Sequence, residues 1–385
     1  MPKCRSLVDM ALKGIKVIEF QGLAPGPFCG AILADFGASV TVISKLDPVP
    51  YDVFTNGKRI IAVDMKTKEG VNIIKKMCSS ADVLLDTFRP GVMEKLDLGP
   101  NSLTKINSGL IYARLTGFGQ SGLYKDKAGH DINYEAMSGV LSLLGRNGEP
   151  PVPPLNILAD FAGGSMLCAF GILLALYERT KSGKGQIVDC AMTDGLTYLS
   201  SWIFRSRPLP LWEGEPGSNL LDGGYAAYRT YKTKDGKFMA VGALEPKFYL
   251  NFLKGLQLSP ENYEQFDIGN HKKFADIFLT KTQAEWCQIF DDLDACVTPV
   301  LEINSMMEHK YHKSKQNKLK SNNNTIIPEP QPSLSRTPGV SVGRESPTMP
   351  GQHTIHILKE LGYSKVQIEE LLKKGIVYAN RKSNL

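Results

Sequence analysis

The chain lacks several patterns that assign a protein quickly to a class. Its seven cysteines include no Cys-x-x-Cys pair, which argues against a zinc site or a disulfide framework and favours a reducing compartment. The loop at residues 22–27 (GLAPGP) is no Gly-x-Gly-x-x-Gly fingerprint, so an NAD-binding dehydrogenase is disfavoured. No basic stripe with interleaved aromatic residues is present, and we therefore expect no nucleic-acid partner.

Targeting segments and long apolar runs are also scarce. The N-terminus makes a poor signal peptide because Asp9 and Lys13 interrupt any apolar stretch. The longest uncharged run, residues 161–177, is slightly short for a membrane span, and we interpret it as a buried helix. The ending Ser383-Asn384-Leu385 is either a degenerate peroxisomal address, with an import receptor as partner, or a chance C-terminal leucine.

The remaining composition is that of a globular protein. At 385 residues the chain is too long for one ordinary core and predicts two or three domains. The net charge of +6 is modest and suits an anionic ligand such as a nucleotide phosphate.

Alternating strand and helix patterns predict an α/β fold with a parallel sheet covered by helices. The first group of predicted strands is 15–20, 40–43, 83–85, 110–115 and 186–190, and the helices are 28–36, 69–78, 161–177 and 194–204. Further predictions are strands at 221–231 and 238–241, a mostly helical stretch at 248–303, a long crossing loop at 304–352 and closing helices at 353–372.

Two titratable residues stand just before predicted helices. His130 follows Gly129 and precedes Asp131, a possible cap of a helix at 132–137, and Asp160 precedes the apolar helix. Two bases of different type on opposite sides of one carbon could remove a proton from one face and return it to the other. The free N–H groups at a helix start can also stabilise an oxyanion.

Structural roles compete with this hypothesis. An aspartate directly before a helix is a favoured N-cap, and position alone favours that role for Asp160. A single histidine is more often structural than catalytic. Met137, Met166 and Met192 fit an adaptable apolar pocket, but ordinary core positions are the simpler interpretation.

From about Met10 to the end, the chain resembles the family III CoA-transferase superfamily. The resemblance is carried by GLAPGPF at 22–28, LADFGA at 33–38, FRPGV at 88–92, LTGFGQSG at 115–122, GHDINY at 129–134, LADFAGG at 158–164, VGALEP at 241–246 and DACVTPV at 294–300. It implies an interlocked homodimer with a Rossmann-like large domain and a smaller α+β domain. Residues 1–200 would begin the large CoA-binding domain, 201–330 would form the small domain with linkers, and 331–385 would return to the large domain.

The resemblance also implies roles for individual residues. His130 and Asp160 would be the bases on opposite faces of Cα, in a site between the large domain of one subunit and the small domain of the other. Glu245 of the second subunit would orient and charge-tune His130, and Asn156 would support Asp160. The backbone N–H of Asp131 would receive the thioester enolate oxygen.

CoA contacts are implied in the same way. The CoA phosphates and thioester would meet residues on several loops, namely Lys45, Lys66, Arg89, Lys95, Gly129 and Tyr134. The family commonly has arginine where Lys45 and Lys95 stand, and a lysine keeps the charge but loses the bidentate fork. The segment at 47–55 is also about two residues shorter than the family pattern.

The implied activity is racemisation of 2-methyl-branched acyl-CoA thioesters, in branched-chain fatty acid and bile acid metabolism in peroxisomes, mitochondria or both. No metal or redox cofactor is expected, because CoA is part of the substrate. The rival is a CoA transferase with Asp160 as nucleophile, but Tyr or Phe usually precedes the Asp131 position there, and His130 favours the racemase. Intact His130, Asp160 and Glu245 argue against an inactive scaffold.

Overall fold

The computed structural model describes residues 10–46, 52–315, 319–322 and 325–380. The ending Ser383-Asn384-Leu385, residues 1–9 and part of the short segment 47–55 lie outside the described residues. The described residues divide into two compact units. The larger unit draws on the described residues within Met1–Ser138, Leu155–Leu199 and Gln316–Leu385, and the smaller unit is Gly139–Pro154 and Ser200–Lys315. The domain limits at 200 and 330 stay a prediction.

Strands and helices alternate through most of the larger unit. The described strands of both units are β1 (Lys16–Phe20), β2 (Ser39–Ser44), β3 (Arg59–Val63), β4 (Val83–Asp86), β5 (Ile111–Thr116), β6 (Ile187–Ala191), β7 (Tyr228–Lys232), β8 (Phe238–Gly242), β9 (Val297–Pro299), β10 (Leu319–Asn322), β11 (Thr325–Pro328) and β12 (Val377–Tyr378). Of these, β7, β8 and β9 lie in the smaller unit.

Most helices are short. They are α1 (Pro25–Asp35), α2 (Lys68–Cys78), α3 (Val92–Lys95), α4 (Pro100–Ile106), α5 (Asp131–Ser138), α6 (Leu167–Ser182), α7 (Met192–Leu199), α8 (Ser201–Ser206), α9 (Pro246–Gly255), α10 (Asn270–Phe278), α11 (Gln283–Phe290), α12 (Lys310–Ser314), α13 (Thr354–Glu360) and α14 (Lys365–Lys373). A π-helix, Ile157–Met166, runs directly into α6 and is called the π segment below.

A seven-stranded sheet in the order β12-β3-β2-β1-β4-β5-β6 forms the centre of the larger unit. Strands β1 to β6 are parallel, and β12 joins the edge antiparallel to β3. The strands β1, β2, β4 and β5 are almost continuously buried, as expected for a parallel sheet with helices on both faces. The order 3-2-1-4-5-6 reverses direction between β1 and β4, which is where such sheets bind ligands.

The C-terminal part of the chain packs on this sheet. The backbone N–H of Ile60 in β3 donates to His353 Nδ1 at 3.2 Å, and that of Ala62 donates to Thr354 Oγ1 at 3.2 Å. The Thr354 hydroxyl in turn donates to the carbonyl of Tyr378 in β12 at 2.7 Å. These bonds satisfy donors on the outer side of β3 that a free sheet edge would leave open.

The smaller unit has its own core. Its three-stranded antiparallel sheet has the order β7-β8-β9, and helices α9, α10 and α11 pack with it. The core is strongly aromatic and includes Tyr231, Phe252, Phe274, Phe278, Trp286 and Phe290. Offset and edge-to-face ring pairs, such as Phe252 with Phe274 at 5.2 Å, allow these rings to fill the space closely.

Several sequence predictions need correction. The strand expected at 221–231 begins only at Tyr228, because the Asp222 carboxylate accepts from the N–H of Asn219 at 2.7 Å and closes a turn. Gly223 continues that turn at a φ of +100°, a conformation that favours glycine. Strands β3 and β12 were not predicted, and the loop expected at 304–352 contains α12 and the antiparallel pair β10–β11.

The helix predicted at 161–177 is longer and less buried than expected. The continuous helical run Ile157–Ser182 has 26 residues, and an 18-residue window within it has a mean hydropathy of 1.9, so by length and composition it could cross a membrane. One face is buried and includes Cys168 and Ile172, and α6 packs on β5 and β6. The other face exposes Phe170, Leu173, Leu174 and Tyr177, so the prediction of a buried helix holds for one face only.

Candidate active site

The loops that follow β1 and β4 approach each other closely at the carboxyl edge of the sheet. A Cβ on Gly22 would lie 2.5 Å from Thr87 Oγ1, and one on Gly26 would lie 2.4 Å from Thr87 Cγ2. Only glycine permits this approach. The buried Ser165 hydroxyl, on the π segment, lies 2.7 Å from the carbonyl of Pro25 and 3.0 Å from that of Asp160. The π segment is therefore anchored at the point where the sheet reverses direction.

His130 is exposed at the start of α5, on a backbone that its neighbours hold in place. Its N–H donates to Asn133 Oδ1 at 3.1 Å, and its carbonyl accepts from the N–H of Asn133 at 2.8 Å. The buried Tyr134 hydroxyl donates to the carbonyl of Gly129 at 2.5 Å. A Cβ on Gly129 would lie 2.7 Å from the Tyr134 ring, which explains the glycine before the histidine.

The buried Asp131 carboxylate connects α5 to the π segment. Its Oδ2 accepts from the N–H of Ala159 at 3.0 Å and from that of Asp160 at 2.6 Å. Asp131 was predicted to cap the helix at 132–137, but it lies inside α5 and its side chain caps the π segment instead. The predicted N-cap role of Asp160 is also wrong, because that helix begins three residues earlier, at Ile157, and Asp160 lies in its first turn.

Asp160 is half-buried and surrounded by polar groups. Burial raises the pKa of its carboxyl, as does the negative charge of Asp131. The Asn156 amide donates to its Oδ2 at 3.4 Å and, together with the charge of His130, acts to lower the pKa. The structure therefore brings His130, Asp131, Asn156 and Asp160 into one site. A raised pKa makes a carboxyl group better suited to accept and return a proton.

The π segment packs tightly on α7. A Cβ on Gly163 would lie 2.6 Å from the backbone nitrogen of Leu196, and one on Gly195 would lie 1.9 Å from the carbonyl oxygen of Gly163. Two facing glycines thus let the two backbones touch, which fixes the position of Asp160 one turn away. π-Helical turns are rare and occur often at functional sites.

The start of α5 offers donors for an oxyanion. The N–H groups of Asn133 and Tyr134 donate to the carbonyl of His130. Those of Asp131 and Ile132 come before the first hydrogen bonds of α5 and have no acceptor within the helix. The free N–H groups of a first helical turn carry partial positive charge, which favours binding of an anion. Their position next to His130 agrees with the expected binding of an enolate oxygen.

The expected phosphate-binding cations lie along the same edge of the sheet. Lys45 directly follows β2, Lys66 follows β3, and Arg89 follows β4, and all three are exposed. Lys95 is exposed at the end of α3, and the charge of Arg89 reaches Tyr134, where it acts to lower a pKa that burial raises. Because β3, β2, β1 and β4 are neighbours, their carboxyl ends form one continuous row.

Glu245 lies in the smaller unit. It is exposed and immediately precedes α9, whose first residue is Pro246. The smaller unit also has a cavity of about 350 Å³ whose lining includes Arg146, Tyr228 and Arg229. This cavity was not predicted.

The predicted methionine positions divide into two groups. Met192 is buried, as expected for a core residue, but Met137 and Met166 are 51% and 46% exposed. Ile132 and Ile157, from α5 and the π segment, are also exposed. The core interpretation is wrong for Met137 and Met166, which lie on helices that also carry site residues.

One residue near the site was missed by the sequence analysis. Glu135 is fully buried on α5, four residues after Asp131, and burial raises the pKa of its carboxyl to about 7. A glutamate one helical turn from an aspartate places two negative charges on one face, which is unfavourable unless one is protonated. That spacing was the available indication in the sequence.

These features define a doubly wound α/β protein with an acid–base site at the carboxyl edge of its sheet. The family model described as CoA-transferase family III matches residues 12–354. The chain is 50% identical to alpha-methylacyl-CoA racemase of Mus musculus, over 98% of this chain and 100% of the relative. It is 49% identical to alpha-methylacyl-CoA racemase of Homo sapiens, over 97% of this chain and 99% of the relative.

A solved structure supports the fold. The crystal structure of a CAIB/BAIF family protein from Brucella suis superposes with a TM-score of 0.77 at 22% identity, covering 92% of this chain and 100% of that one. The chain therefore belongs to CoA-transferase family III.

Proposed function

We propose that this protein is an alpha-methylacyl-CoA racemase, which interconverts (2R)- and (2S)-2-methylacyl-CoA thioesters. The observation that carries the proposal is the joining of His130 and Asp160, 30 residues apart, into one site through the Asp131 carboxylate. The high identity to two proteins named as racemases, over nearly their whole length, supports the same activity.

In the proposed mechanism, His130 and Asp160 act on opposite faces of the substrate Cα. One removes the α-proton to form an enolate, and the other returns a proton to the opposite face. A positioned acid or base contributes roughly 10²–10⁴-fold to such a step. The raised pKa of Asp160 suits this exchange, whereas a carboxylate nucleophile of a CoA transferase works in its ionised form.

The enolate oxygen would bind the N–H of Asp131. A thioester α-proton is weakly acidic, so the enolate has to be stabilised as well as formed, and an oxyanion donor supplies about 3 kcal/mol. Asn156, whose amide donates to Asp160 at 3.4 Å, would orient that carboxyl toward the substrate. This mechanism uses proton transfers between side chains and substrate and requires no redox or metal cofactor.

The CoA part of the substrate would lie along the carboxyl edge of the sheet. Lys45, Lys66, Arg89 and Lys95 supply the positive charge for its phosphates, and Gly129 and Tyr134 shape the end near the thioester. The branched acyl chain would lie against exposed apolar residues such as Ile132, Met137 and Met166. Pristanoyl-type chains and bile-acid intermediates are the proposed substrates.

We further propose that the protein acts as a homodimer. The exposed apolar side chains of α6, Phe170, Leu173, Leu174 and Tyr177, form a surface of the kind that a second subunit covers. Glu245 of the partner subunit would then face His130 and tune its charge. Peroxisomes, mitochondria or both are the proposed location, with Ser383-Asn384-Leu385 as the peroxisomal address.

The direct test is incubation of the purified protein with one enantiomer of a 2-methylacyl-CoA in D₂O. We expect deuterium at Cα together with loss of stereochemical purity. Mass spectrometry measures the first and chiral chromatography the second. His130→Ala is expected to abolish racemisation. Absence of exchange, combined with transfer of CoA to an added carboxylic acid, would instead assign Asp160 as the nucleophile of a CoA transferase.

A further inference from the structure

Three carboxyl groups, those of Asp131, Glu135 and Asp160, lie together in the site, and two of them have buried oxygens without a hydrogen-bond partner among the described residues. Asp131 uses Oδ2 for the N–H groups of Ala159 and Asp160, but its buried Oδ1 has no partner among the described residues. Both side-chain oxygens of Glu135 are also buried and unpartnered in that part of the chain. Buried polar atoms are nearly always hydrogen-bonded, so this arrangement needs an explanation.

A single proton gives a partner to two of these three oxygens. Residues four apart on a helix face each other, and the side chains of Asp131 and Glu135 interact directly. If Glu135 is protonated, its hydroxyl can donate to Oδ1 of Asp131, so that one Glu135 oxygen and Oδ1 of Asp131 are paired with each other. Two ionised carboxylates in the same place would repel each other in a region from which water is excluded.

The charges around Glu135 favour the protonated form. On its own helix it faces Asp131, and from the π segment it faces Asp160; both are negative and both raise its pKa, after the larger effect of burial. Helix α7 also packs against α5 and carries the titratable groups Asp194 and Tyr198. The charge of Asp194 acts on Asp189, at the edge strand β6.

We propose that Glu135 is a positioning residue that holds a proton against Asp131 and thereby fixes the carboxylate that binds the backbone of Asp160. The inference rests on the proposed function, in which Asp160 is one of the two bases. Glu135 is fully buried, so it acts through Asp131 and not on the substrate.

This arrangement makes the site sensitive to pH. As the pH rises through about 7, Glu135 loses its proton, Asp131 loses a donor, and a further negative charge faces Asp160. Because the pKa of Glu135 in the folded state lies above its ordinary value, the folded protein binds more protons than the unfolded chain between these two pKa values. The stabilisation is therefore complete at acid pH and is lost as the pH rises through the folded-state pKa.

The test compares Glu135→Gln, whose amide can still donate to Asp131, with Glu135→Leu, which cannot. The exposed Glu69→Gln, on α2, is the matched control and should behave as the wild type. We expect Glu135→Gln to retain kcat at pH 6 within about threefold, and Glu135→Leu to lose about tenfold in kcat with KM little changed. The ratio of wild-type to Glu135→Gln kcat should fall as the pH rises from 6 to about 8.5.

A second readout does not depend on activity. The infrared difference spectrum of wild type minus Glu135→Gln should show the C=O band of one protonated carboxyl group at pH 6, and this band should disappear near pH 8.5. Glu19, Asp35 and Asp86, whose pKa values burial also raises, contribute equally to both proteins and cancel. A difference spectrum without this band, a kcat ratio that stays constant with pH, or equal losses in the Gln and Leu variants would overturn the proposal. If the wild type lacks racemase activity but shows this band, the proposed function fails and the shared proton stands.

Discussion

Two clusters of buried carboxyl groups in the larger unit are neutralised in different ways. Glu19, in β1, is fully buried and is paired with the fully buried Lys58, whose Nζ lies 2.8 Å from Glu19 Oε2. The Lys58 ammonium also donates to the carbonyl of Pro27 at 2.8 Å, so all three of its donors are directed at protein oxygens. Burial raises the pKa of the Glu19 carboxyl to about 7 even so, and the charge and hydrogen bond of Lys58 act to lower it. The cluster of Asp131, Glu135 and Asp160 has no such buried cation among the described residues, and burial raises the pKa of Glu135 and of Asp160.

The difference separates a structural role from a chemical one. A buried charge with a matched partner holds the backbone in place, and its hydrogen-bonding groups are not available to a substrate. A carboxyl group that lacks a matching cation and stays partly exposed can exchange a proton with a substrate. In the first cluster a Cβ on Gly30 would lie 1.8 Å from Glu19 Oε2, so the chain is closed around the pair. In the second, Asp160 remains partly exposed.

The largest expected effect is on activity, from the unpaired cluster. Asp160→Asn should lower the rate of racemisation by roughly 10²–10⁴-fold, because it removes one of the two proton carriers. Its free energy of unfolding should stay equal or rise, since the substitution removes a negative charge that faces Asp131 and Glu135. Chiral chromatography and urea unfolding measure the two quantities, and Asp276→Asn, exposed on α10, is the control. A large loss of stability in Asp160→Asn would erase the contrast between the clusters.

The next effect is on stability, from the paired cluster. Lys58→Met leaves Glu19 as a buried charge without a partner and should lower the free energy of unfolding by about 3–5 kcal/mol. The double variant with Glu19→Gln should recover part of that loss. Arg59→Met is the matched control, since the neighbouring pair of Arg59 with Glu360 is partly exposed and should cost at most about 1 kcal/mol. Equal losses in the two single variants would show that burial does not distinguish these pairs.

The smallest effect concerns the exposed cations, which belong to neither cluster. Lys66→Ala should raise KM for the CoA thioester by about two- to fivefold and leave kcat unchanged, since an exposed ionic contact contributes about 1 kcal/mol at most. The effect should shrink at higher ionic strength. Lys105→Ala, in the last turn of α4 before the amino end of β5, should leave KM unchanged. A change in kcat would place Lys66 closer to the chemistry than the sheet edge suggests.

Local patterns were sufficient to predict much of the α/β framework. The strands β1, β2, β4 and β5 and the helix α2 were predicted close to their observed limits, because each has a clear apolar run or an amphipathic period. Thr67 caps α2 through an Oγ1 bond to the N–H of Gly70, a local interaction that sequence alone can suggest. The edge strand β12 has only two residues and depends on a partner more than 300 residues away.

The residues of the site could be named from the sequence, but their connections could not. The capping of the π segment by Asp131 joins positions 28 residues apart, and no local pattern specifies it. The assignment of Asp160 as an N-cap failed for this reason, because the start of the helix was placed at the first residue of the apolar run. Burial of Glu135 likewise depends on how α5 packs against the π segment and α7.

The most direct test of the two-base mechanism is deuterium exchange with each enantiomer separately, in His130→Ala and in Asp160→Asn. Each variant retains one base, so each should exchange the α-proton of only one enantiomer, without racemisation, and the two variants should accept opposite enantiomers. Exchange of both enantiomers by either variant, or loss of exchange by one variant only, would contradict the assignment of His130 and Asp160 to opposite faces of Cα.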